Sequence, residues 1–134
     1  MLAAVPDTSV SVVPVEETGE AADLGSQFGA LELPRGVGLL VVARGSDEGA
    51  RFVLERDVTT AGRHPDSDVF LDDVSVSRHH GIFTKTASGR ITVRDLNSLN
   101  GTYVNSVRVE ETTLHSGDEV QIGKFKLIFW GAAS

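Results

Sequence analysis

Four polar side chains, Arg63, Ser77, Arg78 and Asn100, stand in three short turn-forming stretches that apolar runs separate. The stretches are Gly62-Arg63-His64, Ser75-Val76-Ser77-Arg78-His79-His80 and Asn97-Ser98-Leu99-Asn100-Gly101-Thr102. Their combined chemistry suits a phosphate carried on a peptide. The Arg63 guanidinium is a planar fork that takes two phosphate oxygens at once. Ser77 can donate its hydroxyl to a third oxygen, and Arg78 adds a second, more exposed cation. The Asn100 amide holds one donor group and one acceptor, the pair that an extended peptide backbone asks for. Ser98 is grouped with these as a ligand contact. Gly62 and Gly101 let the chain turn tightly beside them, and His80 reads as a brace of its loop.

Such stretches need a rigid frame, and the pattern around them is β throughout. Short apolar runs alternate with turn signals every eight to twelve residues or so, the look of a sandwich. Gly38–Arg44 reads as a central strand. Runs at Arg51–Glu55, Val58–Ala61, Asp68–Leu71, Gly81–Thr84 and Ile91–Asp95 follow, with Ala87-Ser88-Gly89 as a hairpin turn. Thr102–Val104 and Val107–Val109 join through Asn105-Ser106, and Glu119–Ile122 and Phe125–Phe129 close the set. In the last strand Phe125, Leu127 and Phe129 point one way and Lys126 the other. Each polar stretch therefore falls in a loop, and sandwich loops gather at two ends where strands hold them as a site.

Composition narrows the partners. The chain has 134 residues and is 40% hydrophobic, enough for one domain and a tail. Residues 1–33 carry Asp7, Glu16, Glu17, Glu20, Asp23 and Glu32 with no Lys or Arg, whereas the remainder is nearly neutral. Residues 1–35 read as a disordered acidic tail and residues 36–134 as the folded domain. No basic face awaits a nucleic acid, and no apolar run approaches the ~20 residues of a membrane span. No basic segment precedes an apolar block, so a signal peptide is not expected. The absence of cysteine fits a reducing cytoplasm, and a monomer is expected.

Other chemistries fit less well. A Ser77–His80 hydrolase pair has no nucleophile elbow around it, so an enzyme is not expected. His64, His79, His80 and His115 follow no metal-ligand spacing. Asp66, Asp68, Asp72 and Asp73 lack the glycine and terminal glutamate of a calcium loop. No metal or cofactor is expected.

Gly62-Arg63, Ser77-Arg78-x-His80 and Asn100-Gly101, in this order and at these spacings, resemble the signature of forkhead-associated (FHA) domains. The resemblance implies an eleven-stranded, all-β sandwich that binds phosphothreonine peptides through loops at one end. It assigns phosphate contact to Arg63 and Ser77, peptide-backbone contact to Asn100, assistance to Arg78, and loop shaping to Gly62, His80 and Gly101. Leu99 stands where many members have threonine. Ala61–Val74, Ser98–Asn105 and Gly117–Phe125 are further similar to the GarA/OdhI regulators of actinobacteria. That likeness implies inhibition of 2-oxoglutarate dehydrogenase, action on glutamate dehydrogenase, and control by a Ser/Thr protein kinase. The alternative is a general phosphothreonine-dependent adaptor that recruits a kinase or its substrates.

In those regulators a phosphorylated tail threonine occupies the pocket of its own molecule. The tail here reads Glu16-Glu17-Thr18-Gly19, with one threonine where the subfamily has two, and Thr18 is the candidate phosphosite. The tether from Thr18 to Arg35 spans roughly 20–25 Å as a flexible coil. That gives an effective concentration near about a millimolar, enough to exclude most external ligands.

Overall fold

The computed structural model describes residues 33–131; Thr18, and with it nearly all of the expected tail, lies outside the described residues. Among the described residues there are eleven strands and no helix. They are Gly38–Arg44 (β1), Arg51–Leu54 (β2), Val58–Gly62 (β3), Val69–Phe70 (β4), Gly81–Lys85 (β5) and Ile91–Asp95 (β6). Thr102–Val104 (β7), Val107–Val109 (β8), Glu111–Thr113 (β9), Glu119–Ile122 (β10) and Phe125–Gly131 (β11) complete the set. They form a five-stranded sheet in the order β9-β6-β5-β3-β4 and a six-stranded sheet in the order β2-β1-β11-β10-β7-β8. Every pairing is antiparallel except β3 with β4.

Burial follows the alternation written in the strands. Phe125, Leu127 and Phe129 of β11 face inward against Leu40 and Val42 of β1, and Phe83 and Val93 close the core from the other sheet. β1 is hydrogen-bonded on both sides, by β2 and by β11. That position explains its near-continuous apolar run. The turn chemistry also holds. Val104 pairs with Val107 across Asn105 and Ser106, whose φ angles of 51° and 71° make the doubly left-handed turn that suits twisted hairpins.

One strand, β9, was not expected from the apolar pattern. Glu111-Thr112-Thr113 pairs only with β6 at the edge of the five-stranded sheet, so it needs no buried face of its own. The registers also fix the two ends of the sandwich. Ala61 opposite Gly81, Gly81 opposite Asp95, and Ile122 opposite both Thr102 and Phe125 lie at one end. Gly38 opposite Gly131, and Lys85 opposite Ile91, lie at the other.

Candidate phosphopeptide-binding site

The three polar stretches meet at the first of these ends, and the segment Ser75–Ser77 is their common meeting point. Two buried side chains hold that segment in place. Leu71 and Val76 sit in the connection between β4 and β5, yet both are inserted into the core. Between them the chain is shaped by Asp73, whose carboxylate accepts from the Ser75 backbone N–H at 2.9 Å and from the Ser75 hydroxyl at 2.6 Å. Lys124 pairs with Asp73 at 3.0 Å, and the Lys124 backbone N–H donates to the Ser75 hydroxyl. The Ser75 hydroxyl bond, then the backbone bond and Lys124, pull the Asp73 carboxyl down to about 2.

Arg63 follows the last residue of β3 and is half-buried. Its backbone N–H donates to the Ser77 carbonyl at 3.0 Å, and its Nε donates to the Val76 carbonyl at 3.1 Å. The guanidinium is thereby fixed at one nitrogen. Among the described residues its two Nη groups have no hydrogen bond or ion pair. Gly62 is needed for close approach: a Cβ there would collide with the Arg78 carbonyl oxygen and crowd the His80 nitrogen. The sequence expectation of a tight turn at Gly62 is thus replaced by steric contact, since its φ is not left-handed. Gly101 does turn, with φ of 85°.

The Ser77 hydroxyl accepts from the Leu99 backbone N–H at 3.0 Å, so its own proton remains for a ligand. The Asn100 side-chain NH2 donates to the Ser75 carbonyl at 2.9 Å. That bond orients the amide and leaves its oxygen and second proton free. A groove of ≈ 510 Å³ runs on from Asn100 past Ser75, Tyr103, Gln121 and Lys124. Arg78 lends its carbonyl to the His64 N–H, while its side chain is exposed and unbonded among the described residues. Val74 and Leu99 flank the site at 92% and 84% exposure.

His80 locks the two larger loops together. Its ring is 0% exposed; Nδ1 accepts from the Ser77 N–H at 3.1 Å and Nε2 lies 2.9 Å from the Gly101 carbonyl. An acceptor at Nδ1 places the ring proton on Nε2, which donates to Gly101. Burial pushes the imidazole pKa down, against the opposing effects of the Gly101 carbonyl and Asp95. With both nitrogens bonded to backbone, His80 cannot activate the Ser77 hydroxyl. A Ser–His hydrolase pair is absent at this site.

Ser98 is placed differently from its expected role as a ligand contact. It is buried, and its hydroxyl donates to Asp95 at 2.5 Å and accepts from the Gly101 N–H at 2.9 Å. Asp95 also accepts from the Thr102 hydroxyl at 2.7 Å and from the Ser98 N–H at 3.1 Å. Burial pushes the Asp95 carboxyl up, but the Ser98 and Thr102 hydrogen bonds outweigh it and hold the group below the carboxylate range. Asp95 was missed by motif reasoning. Its signal was the Asp95-x-x-Ser98 spacing of a side-chain-capped turn.

A β-sandwich whose end loops present a fixed arginine, a serine proton and an oriented asparagine amide defines a phosphopeptide-reading domain of the forkhead-associated type. The family model for the FHA domain matches residues 59–123. An oxoglutarate dehydrogenase inhibitor of Corynebacterium diphtheriae is 49% identical over 92% of this chain and 91% of its own length. The glycogen accumulation regulator GarA of Mycobacterium tuberculosis is 55% identical over 86% of this chain and 70% of its own. Among solved structures, Mycobacterium tuberculosis EmbR in complex with a low-affinity phosphopeptide is 30% identical, with a TM-score of 0.64, over 73% of this chain and 25% of that one. The chain belongs to the FHA-domain family, in the group that holds the oxoglutarate dehydrogenase inhibitors and GarA. Among the described residues no helix is long and apolar enough to cross a membrane.

Proposed function

We propose that this protein binds phosphothreonine peptides through Arg63, Ser77 and Asn100, with Arg78 assisting, and that it performs no catalysis. The observation that carries the reading is the Arg63–Ser77 pair. One guanidinium nitrogen is spent on the Val76 carbonyl, and among the described residues the other two have no partner and the adjoining Ser77 hydroxyl only accepts. Two charge-assisted guanidinium donors and a hydroxyl from adjoining loops make a donor set that suits a phosphate dianion.

The protein acts as a kinase-controlled inhibitor of 2-oxoglutarate dehydrogenase, with glutamate dehydrogenase as a second target. Support comes from its high identity to relatives named oxoglutarate dehydrogenase inhibitor. Phosphorylated Thr18 occupies the pocket of its own molecule and ends the inhibition; the added charge of about −1.5 to −2 supplies the attraction to the arginines. The test is an assay of 2-oxoglutarate dehydrogenase with the protein before and after treatment with a Ser/Thr kinase. Inhibition by the unmodified protein, relief after phosphorylation and no relief in Thr18→Ala are expected. No inhibition by the unmodified protein would leave a general phosphothreonine adaptor in its place.

A further inference from the structure

The end of the sandwich opposite the phosphopeptide loops holds a second site of different character. A cavity of ≈ 160 Å³ opens there, lined by the apolar Ile91, Leu114 and Phe129 and by the basic Arg35 and Arg90. The three apolar residues are all buried core side chains. Arg35 is held in place: its Nε donates to the Ser88 carbonyl at 3.1 Å, and its stem lies close against Gly89, where a Cβ would stand 3.1 Å from it. Among the described residues the Arg35 Nη groups, the Arg90 guanidinium and the nearby Lys85 ammonium have no ion pair. Lys85 lies against Gly36 at the rim.

Among the described residues no acid lines the cavity. The carboxylate beside it, Asp118, is already engaged: one oxygen accepts from Asn105 and the other from the His115 backbone N–H. His115 faces Asp118 at 3.8 Å. The Ser116 hydroxyl is likewise committed, both donating to and accepting from the Gly131 backbone. Among the described residues the unspent polar side chains at this cavity are the Arg35 Nη groups, the Arg90 guanidinium and the His115 ring, beside an apolar wall. A cleft of one sign with low-dielectric walls concentrates counter-charge, and an apolar pocket with a few convergent polar groups is the ordinary form of a small-molecule site.

We propose that this cavity binds a small carboxylate with a compact apolar body. A void of this volume accommodates about one benzene ring, so the apolar part is about six carbons or fewer. The carboxylate bonds Arg90 and Arg35 while the body rests on Ile91, Leu114 and Phe129. The same chemistry has two sources: a free carboxylate, or a carboxylate of the acidic residues that precede Leu33, such as Glu32.

Benzoate titrated into the isotope-labelled full chain tests this, with amide shifts as the readout. Saturable shifts at Ile91, Leu114 and Ser116, and none at Ser77 or Asn100, are expected. Arg90→Met should weaken binding about tenfold or more, and Arg90→Lys less, as loss of a charge-assisted pair requires. Benzyl alcohol should bind at least about tenfold more weakly than benzoate. Unchanged affinity of the variant for phosphothreonine peptide verifies its fold, and Arg35→Met serves if Arg90→Met does not fold. A full-length variant with Asp7, Glu16, Glu17, Glu20, Asp23 and Glu32 changed to their amides separates the sources. Equal benzoate affinity assigns a free ligand; tighter binding in the variant assigns competition by the chain's own carboxylates. Equal binding of acid and alcohol, indifference to both arginine changes, or no saturable shift in either chain would overturn the proposal.

Discussion

Replacing His80 by alanine should damage the fold and the binding site together, and the structure gives the scale. The ring bridges the Ser77 N–H and the Gly101 carbonyl, one from each of the loops that carry Ser77 and Asn100. Alanine leaves both backbone groups buried without a partner, at about 1–3 kcal/mol each. The vacated ring volume adds a cavity cost, bringing the expected total to about 3–5 kcal/mol. For a domain of roughly 100 residues each kcal/mol lowers the melting temperature by about 4–8 °C, so a loss of about 12 °C or more is expected. Urea unfolding and a phosphothreonine-peptide titration supply the two readouts. His80→Asn, which keeps one donor and one acceptor on a shorter stem, should fall between. The wild type should also lose stability in mild acid. Since burial lowers the folded pKa below the ordinary 6.5, the unfolded chain takes the proton first. The contribution of His80 is therefore complete above pH 6.5 and is lost as pH falls from there through the folded value. His80→Ala should lack that part of the profile. A variant with unchanged melting temperature and unchanged peptide affinity would refute the bracing role.

Gly62→Ala should cost about 1–3 kcal/mol by overpacking, because its Cβ meets the Arg78 backbone, and should also weaken peptide binding by displacing Arg63. Thermal unfolding with wild-type values would contradict the steric reading. Ser98→Ala should lower stability by about 1–3 kcal/mol through the lost Asp95 bond. If stability held and affinity alone disappeared, Ser98 would instead be a direct ligand contact. Asp73, at about 2 in the folded chain against an ordinary 3.8, contributes fully above pH 3.8 and loses that contribution as pH falls toward 2. Asp73→Ala should therefore be less acid-sensitive than wild type across that window, measured as the difference between their unfolding profiles.

The legible parts of this protein were those in which side-chain type and position carry one meaning. Phe125, Leu127 and Phe129 alternate with the less buried Lys126 and Ile128 in a half-buried strand. Arg63, Ser77 and Asn100 stand out because their order and spacing follow the FHA signature. Arg63 and Asn100 both hydrogen-bond to the segment Ser75–Ser77. What stayed hidden was tertiary. The edge strand β9 has no apolar period, since an edge pairing with β6 asks for none. Val76 is a loop residue by sequence and a core residue by packing, and only the fold reveals that it anchors Ser77. Ser98 lies in the same stretch as Asn100, yet the Asp95 hydrogen bonds turn its hydroxyl inward. Those bonds span three residues, close enough to have been read as a capped turn. The Thr102 bond to the same carboxylate spans seven and had no local sign.

In the proposed function Arg63 and Ser77 grip a phosphate on threonine. A calorimetric titration of one threonine peptide in phosphorylated and unmodified form, against wild type, Arg63→Ala and Ser77→Ala, tests it directly. Wild type should bind the phosphorylated peptide saturably and the unmodified peptide not measurably. Each substitution should lower affinity by about tenfold or more, the scale of a charge-assisted hydrogen bond. Equal affinity of wild type and Arg63→Ala for the phosphorylated peptide, or equal binding of both peptide forms, would contradict it.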